Sequence, residues 1–395
     1  MDEPFPSVDA PQPMTDLYGF DIPHNVVAQA VRLQCDGAAL RAERAWAPYI
    51  QEGRLPSEHK LKDMVRLGVP PTLRPWVWME ASGAAAKRAA FSPSYYTSMA
   101  LAGEKESPHL KQIDQDVKCA FPNHPWLQSE EGQTALRRVL AAFSLHNPKV
   151  GYTRPLSHIV GLLLVALNRN QESAFWLLAQ LVEGTLYDGT YSPNLVGCQV
   201  EMRALEDLMS TKLPRLAAHM AALEADVSII ATDWYLSLFA SSMPSESAAR
   251  VWDALMNEGP KVLFRVALAL LSLNEERLLA FDNAGEMIIH MRQAAAAMHD
   301  RDRLMEVAGQ SSKEVEAALR DRQSGARPAA NTAQQQAGHG GADELRELRE
   351  KAGMLTAVAA SGLKKGFGAL VAAGKKAASG GDRKGSGGGV PAAFD

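Results

Sequence analysis

The hydrophobic positions of this chain recur at helical intervals over most of its length. From residue 90 to residue 300, apolar stretches alternate with short breaks of proline, glycine, asparagine and aspartate. The strict apolar and polar alternation that is typical of a β-strand is almost absent. The pattern therefore predicts an all-α fold, with helical stretches that include residues 136–143, 156–167, 174–182, 213–223 and 262–271.

Changes in composition divide the chain into segments. The first residues are rich in proline, which favours an extended, mobile lead-in with order only near Tyr18-Gly19-Phe20. Residues 287–322 predict one long polar helix. The expected organisation is a mobile N-terminal segment (1–25), N-terminal helices (26–60), a central helical domain (61–300), a helical extension (301–323), a flexible linker (324–342), an amphipathic helix (343–378) and a disordered tail (379–395).

The amphipathic helix carries two candidate surfaces. Residues 345–359 place leucines and alanines at spacings of three and four among charged residues, as in a short partner helix. Residues 363–376 combine an apolar face with four lysines, a pattern that favours contact with an anionic membrane. Four glycines in this region weaken a helix, so the alternative is a solvated and lightly helical tail.

The bulk composition excludes several classes of function. The chain has 395 residues, of which 46% are hydrophobic and 22% charged, as in an ordinary soluble globular protein. The formal net charge of −4 provides no overall attraction to nucleic acid, so no nucleic-acid partner is expected. The sequence contains no G-x-x-x-x-G-K-[ST] loop, which indicates that the chain does not bind a nucleotide itself.

The cysteines and the apolar stretches bear on the compartment. Cys35, Cys119 and Cys198 lie far apart and have neither paired nor zinc-binding spacing, which favours a reducing, cytoplasmic environment. No cofactor and no metal are expected. The N-terminus does not resemble a secretory signal, and the longest apolar stretch, residues 159–167, is too short to span a bilayer. A peripheral position on endomembranes is the further option.

Three segments carry most of the functional information. Residues 112–122 read Q-I-D-Q-D-V-K-C-A-F-P, residues 150–155 read V-G-Y-T-R-P, and residues 172–178 read E-S-A-F-W-L-L. Further blocks are residues 68–78 with G-V-P-P-T-L-R-P-W-V-W, residues 213–219 with L-P-R-L and a histidine, residues 234–239 with W-Y-L-S-L-F, and residues 250–253 with R-V-W-D. In residue identity and order these blocks resemble the TBC domain, whose members accelerate GTP hydrolysis by Rab-type small GTPases.

The resemblance implies a two-lobed helical domain with a groove for a small GTPase, acting in vesicle traffic. It also implies two catalytic finger positions. The family pattern I-x-x-D-x-x-R has its arginine finger where this chain has Cys119, and the pattern V-G-Y-x-Q has its glutamine finger where this chain has Arg154. Both reacting side chains are therefore replaced.

The neighbours of these positions are implied to contact the GTPase. Asp116 matches the aspartate that braces the arginine finger, although it is also consistent with a surface carboxylate. Tyr152 matches the tyrosine before the second finger, or it is a half-buried core aromatic. Ile113 and Lys118 complete the set of expected contacts, although the sequence favours core packing for Ile113 and for Phe121. On a helix, Lys118 would point about 100° away from the finger position.

The replacements remove the chemistry of both fingers. Hydrolysis spreads negative charge over the γ-phosphoryl oxygens, and an arginine supplied in trans contributes a factor on the order of 10³–10⁵ in rate. The thiol of Cys119 is too short to reach the phosphate and offers no cationic fork. Arg154 donates hydrogen bonds but has no acceptor with which to orient the attacking water. Two-finger activity is therefore expected to be absent or weak.

Three functions remain open from the sequence. The chain is expected to be a regulator of a partner GTPase and not an enzyme on its own. It is expected to bind a Rab-like GTPase without two-finger hydrolysis. The first alternative is an active GTPase activator that uses Arg154 together with the glutamine of the GTPase. The second is a non-catalytic scaffold or membrane-tethered adaptor. A cation of this chain that lies beside Asp116 would contradict the prediction that the chain offers no charge to stabilise the transition state.

Overall fold

The computed structural model describes residues 14–23, residues 37–310 and residues 315, 316 and 319. Within these ranges the regular structure is helical, and β pairing is confined to an isolated antiparallel bridge between Thr15 and Asp21. The prediction of an all-α fold is confirmed. The predicted linker (324–342), amphipathic helix (343–378, with its membrane-facing residues 363–376) and tail (379–395) lie outside the described residues.

The described helices, in chain order, are α1 (Gly37–Glu52), α2 (Glu58–Leu67), α3 (Arg74–Ala81), α4 (Ala84–Ala89), α5 (Tyr95–Glu106), α6 (Leu110–Val117), α7 (Glu130–His146), α8 (Pro155–Ala166), α9 (Gln171–Gln180), α10 (Val196–Lys212), α11 (Pro214–Ala222), α12 (Ser228–Leu236), α13 (Ser245–Glu258), α14 (Lys261–Leu273), α15 (Glu275–Leu278), α16 (Ala284–Ala296) and α17 (Arg301–Gln310). A 3-10 turn at Pro71–Leu73 precedes α3, and a π-helical turn at Leu181–Thr185 follows α9. None of these helices has the length and apolar character needed to cross a bilayer.

The first lobe is built around α7. Ser129 caps this helix by accepting a hydrogen bond from the amide of Gly132, and acidic residues in its first turn complement the helix dipole. Helices α5, α6, α8 and α9 pack against α7, and the core between them includes Phe143, Phe175 and Trp176, all of which are buried. The lobe therefore presents the α6 and α8 ends on a rigid support.

The second lobe is built around α13 and α14. Every side chain of α13 from residue 245 to residue 256 is buried, because α2, α3, α14 and α17 all pack around it. Helices α10, α12 and α16 extend this lobe, whose core contains Trp234, Trp252 and Phe264. The lobes meet where α8 contacts α12 and α13 and where α9 contacts α3.

Two of the sequence blocks meet in a buried ion pair. The guanidinium of Arg74, at the start of α3, donates from Nε and Nη2 to the two carboxylate oxygens of Asp253 on α13, each at 2.9 Å. The indole Nε1 of Trp78 donates to the same carboxylate at 2.8 Å. Arg74 is only 4% exposed. This network joins the opening block at residues 68–78 to the block at residues 250–253.

The predicted single helix over residues 287–322 is wrong. Helix α16 ends at Ala296 and α17 begins at Arg301, because the intervening chain is held by tertiary contacts. The hydroxyl of Ser247 donates to the carbonyl of Met298 at 2.5 Å, and Asp300 caps α17 by accepting from an amide of its first turn. This break lets α17 fold back against α14, where its Leu304 is buried.

Glu201 is a carboxyl buried inside the second lobe. Its Oε2 atom accepts a hydrogen bond from the hydroxyl of Thr190 at 3.0 Å, whereas Oε1 has no partner among the described residues. Burial raises the pKa of this carboxyl to about 7, and the hydrogen bond from Thr190 offsets only part of that rise. The folded protein thus holds a proton on Glu201 over a range of pH in which an unfolded chain would release it.

This buried acid predicts a pH-dependent stability. The pKa of Glu201 in the folded protein lies above its ordinary value of 4.5. The loss of folding stability that this carboxyl causes is therefore absent below pH 4.5 and grows as the pH rises toward 7. We expect Glu201→Gln, which keeps an acceptor for Thr190, to raise the free energy of unfolding by about 3 kcal/mol more at pH 8 than at pH 4.5. Urea denaturation at the two pH values measures the difference.

A matched control is Glu276→Gln, because the side chain of Glu276 is 81% exposed. This control should change the free energy of unfolding by the same small amount at both pH values. An equal change in the free energy of unfolding between pH 4.5 and pH 8 for Glu201→Gln and the wild-type chain would show that folding does not raise the pKa of the Glu201 carboxyl, contrary to this expectation.

Candidate functional site

The first finger segment lies at the end of α6. Ile113 and Val117, four residues apart, face the core and anchor this helix against α7. The helix ends at Val117, and the amides of Cys119 and Ala120 both bond to the carbonyl of Asp116, at 3.0 and 2.9 Å. Position 119 is therefore presented on a tight, exposed turn. The expectation that Lys118 lies on a helix is wrong, because Lys118 is already in this turn.

The second finger segment runs from α7 to the start of α8. Asn147 shapes it, because its side-chain oxygen accepts from the amide of Val150 at 3.1 Å and its carbonyl from the amide of Gly151 at 2.8 Å. Gly151 has a φ of +61°, and a Cβ there would lie 2.5 Å from Nε2 of His109. Only glycine fits this crossing between the segment and the residue preceding α6.

Asp116 joins the two segments. The hydroxyl of Tyr152 donates to its Oδ2 atom at 2.9 Å, and Nε of Arg154 lies 3.7 Å from its Oδ1 atom. We define the finger site as Asp116, Cys119, Tyr152 and Arg154. Tyr152 and Arg154 both contact Asp116, while Cys119 lies on the turn that follows this carboxylate.

The site holds its donors in fixed protonation states. Burial raises the pKa of the Tyr152 hydroxyl, and its hydrogen bond to the Asp116 carboxylate raises it further, so Tyr152 remains a donor. Burial also lowers the pKa of the neighbouring His158, and the positive charge of Arg154 adds to that effect. The positive charge that lies beside the carboxylate of Asp116 is that of Arg154, which is exposed.

Arg154 changes one expectation from the sequence. Its side chain is 65% exposed, yet its guanidinium lies beside Asp116, the carboxylate that matches the finger-bracing aspartate. Asp116 therefore lies beside a cation that comes from the second segment and not from position 119. The arrangement can present one guanidinium to an anionic group, and it still lacks an amide that could orient a water.

The other predicted contact residues separate into two kinds. Cys119 and Lys118 are exposed and available to a partner. Ile113 is 0% exposed, which corrects its assignment as a GTPase-contacting residue, because a core side chain offers no surface. Tyr152 is also buried, and it acts on the surface only through its bond to Asp116.

Sequence reasoning missed the residues that support this site from behind. His109 packs over Gly151, and His124 and Phe121 lie on the loop that follows Cys119. Phe20 contacts that loop from the N-terminal segment. The order expected near Tyr18-Gly19-Phe20 was the one available signal, and no spacing rule connects these residues to position 119.

Comparison with protein families agrees with the blocks in the sequence. The model of the Rab-GTPase-TBC domain matches residues 71–279. TBC1 domain family member 2A of Mus musculus is 38% identical over 251 residues, covering 63% of this chain and 27% of that protein. Member 2B of Homo sapiens is 35% identical over 253 residues, covering 63% and 26%. The chain thus spans about a quarter of the length of these curated relatives.

Solved structures agree with the fold. The Chlamydomonas flagellar RabGAP TBC domain is 54% identical to this chain, with a TM-score of 0.70 over 75% of this chain and 99% of that domain. The Ypt/Rab-GAP domain of Gyp1p has a TM-score of 0.61 over 71% of this chain and 99% of that domain, at 16% identity, which is a likeness of fold alone.

The class of protein follows from the fold, the finger segments and these matches: a helical domain of the GTPase-activating type. The chain belongs to the Rab-GTPase-TBC domain family. Proteins of this family act as regulators of a partner GTPase.

Proposed function

We propose that this chain binds a Rab-type small GTPase through the finger site, in Rab-controlled vesicle traffic, without two-finger hydrolysis. The observation that carries the proposal is the pair of exposed replacements on one face: a thiol at position 119 and a guanidinium at position 154. The bound GTPase would meet the ends of α6 and α8. The exposed thiol and the exposed guanidinium stand at the positions that the resemblance assigns to the two fingers.

The chemistry of hydrolysis supports the loss of the two-finger route. The attacking water must be held in line with the γ-phosphate, a task for an amide that both accepts and donates. Arg154 only donates, and the side chain of Cys119 ends one atom beyond Cβ. Neither position can orient the water, so that step would depend entirely on the GTPase.

A second candidate function rests on the Arg154–Asp116 contact. A guanidinium held beside a carboxylate is restrained in direction, and an arginine supplied in trans is the strongest single contribution to this reaction. In this candidate, Arg154 supplies charge while the glutamine of the GTPase positions the water. The contact is long, at 3.7 Å, and the side chain is mostly exposed, so we place this function second.

Binding and hydrolysis with a panel of purified Rab proteins test both functions. We expect the wild-type chain to bind one GTP-loaded member and to leave its single-turnover hydrolysis at the intrinsic rate. Arg154→Ala should weaken that binding by about fivefold, because an exposed charge contact contributes up to about 1 kcal/mol. Titration calorimetry with GTP-loaded and GDP-loaded protein measures the affinities.

Arg215→Ala is the matched control, because Arg215 is 66% exposed and also pairs with a carboxylate, Glu276, at 3.1 Å. This variant should bind as the wild-type chain does. Accelerated hydrolysis by the wild-type chain, lost in Arg154→Ala, would replace the proposal with the second candidate. Failure to bind any member in either nucleotide state would contradict both and favour the scaffold.

A further inference from the structure

We propose that residues 14–22, here the N-terminal clasp, position the loop that carries the first finger position. That loop, residues 118–124, is called the finger loop. The clasp lies outside the family match at residues 71–279. Its effect on GTPase binding rests on the proposed function, whereas its effect on the finger loop can be tested without a partner.

The clasp is a compact turn closed by its own hydrogen bonds. Thr15 and Asp21 form an antiparallel bridge. Between them, one carboxylate oxygen of Asp16 accepts from the amides of Tyr18 and Phe20, each at 2.9 Å, and the amide of Asp16 donates to the carbonyl of Phe20 at 2.8 Å. An aspartate that binds two amides ahead of it fixes the turn, so Tyr18 and Phe20 are held in defined directions.

One side of the clasp is anchored to the second lobe. The guanidinium of Arg74, which pairs with Asp253, also donates to the hydroxyl of Tyr18. The amide of Leu17 donates to Oε1 of Glu246, on the first turn of α13, at 3.1 Å. The clasp is therefore tied to the buried ion pair that joins two of the family blocks.

The other side of the clasp holds the finger loop. Nδ1 of His124 accepts from the amide of Leu127 at 3.0 Å, so Nε2 carries the proton and donates to the carbonyl of Tyr18 at 2.7 Å. The ring of Phe20 packs edge-on against Phe121, with centroids 5.1 Å apart, and against His124, at 4.5 Å. The clasp thus contacts the loop through one hydrogen bond and two aromatic contacts, in addition to the bonds that Gln128 Nε2 donates to the carbonyls of Ala120 and Phe121.

The finger loop needs such support. Phe121 has a φ of 51°, a left-handed conformation that a bulky residue adopts only when its surroundings hold it there. It follows Cys119 by two residues, so relaxation of Phe121 would move position 119. Gly19 lets the clasp approach closely, because a Cβ there would lie 3.2 Å from Nε2 of His124. Phe20 is accordingly a positioning residue for the finger site.

Hydrogen–deuterium exchange on the full chain tests this assignment. We expect Phe20→Ala to speed exchange of the finger-loop amides by about tenfold, the loss of roughly one aromatic contact from a local opening equilibrium. Phe20→Tyr, which keeps the ring, should exchange like the wild-type chain. Phe20→Leu, which keeps bulk without a ring, provides an intermediate variant should Phe20→Ala lower the melting temperature of the whole domain.

The matched control is Phe91→Ala, because Phe91 is also a partly exposed aromatic, packed against Tyr95 and Trp176 and not against the finger loop. Its finger-loop exchange should not change. Unchanged exchange in both Phe20→Ala and Phe20→Leu would overturn the proposal.

GTPase binding gives the second readout. The GTP-loaded Rab that binds the wild-type chain should bind Phe20→Ala more weakly, by the factor by which the population of the closed finger loop falls, because only the closed loop presents position 119. Faster exchange with unchanged affinity would overturn the positioning role. If the wild-type chain binds no Rab, the proposed function fails, while the exchange result alone still decides whether the clasp holds the loop.

Discussion

Replacing Cys119 by arginine and Arg154 by glutamine together should raise the single-turnover hydrolysis rate of the bound Rab by about 10³-fold or more over the wild-type chain. The turn that ends α6 already presents position 119 in the exposed face, and the start of α8 already presents position 154. On the proposed function, the two changes would supply the charge and the water-orienting amide at the positions that the resemblance assigns to the two fingers.

The paired replacement also frees one oxygen of the Asp116 carboxylate for the new arginine. In the wild-type chain this carboxylate is shared between the hydroxyl of Tyr152 and the guanidinium of Arg154. Arg154→Gln removes that guanidinium and leaves one carboxylate oxygen to brace the arginine introduced at position 119. The bond from Tyr152 would continue to fix the carboxylate.

The two single replacements are the controls. Cys119→Arg alone adds charge without an amide, and Arg154→Gln alone adds the amide without the charge, so each should fall well short of the pair. A paired variant that folds and binds GTP-loaded Rab, yet hydrolyses at the intrinsic rate, would show that other parts of the catalytic arrangement are lost.

Asp253→Ala should lower the free energy of unfolding by about 3–5 kcal/mol, the usual cost of leaving one partner of a buried ion pair alone. The variant strands the guanidinium of Arg74 and the indole of Trp78, which donate three hydrogen bonds to this carboxylate. Burial acts against the charge of Arg74, and the Asp253 carboxylate more than offsets it, raising the pKa of the guanidinium. Urea denaturation gives the loss directly.

An exposed ion pair provides the comparison for this variant. Glu276→Ala removes the partner of Arg215, and both side chains are more than half exposed. Its effect should stay within about 1 kcal/mol. A loss of that small size in Asp253→Ala would mean that water or a neighbouring acid replaces the missing carboxylate.

The sequence was most informative where one local rule was sufficient. Helical periodicity identified the α7, α8, α9 and α14 stretches, because each buries a continuous apolar face. The order of the blocks placed positions 119 and 154 in one site. Helical periodicity also predicted a single helix over residues 287–322. Periodicity does not detect the hydrogen bond from Ser247 and the cap from Asp300, which divide this stretch into two helices.

The sequence was least informative where distant residues meet. The approach of Arg154 to Asp116 depends on the left-handed turn at Gly151, which no apolar spacing encodes. The clasp depends on contacts such as that between Leu17 and Glu246, which are 229 positions apart. Burial of Ile113 could be suspected from its spacing with Val117, but the motif pattern suggested surface contact instead.

The partners of Arg74 and Glu246 lie on both sides of the residues that the family model matches. Residues 71–279 contain both side chains, yet Tyr18 lies before that span and Arg301, which donates to Glu246, lies after it. A fragment trimmed to those limits would expose the surface of the second lobe that Tyr18 and Arg301 cover, and Glu246 would lose its bond to Arg301. The buried polar network of the second lobe thus extends beyond the residues that the family model matches.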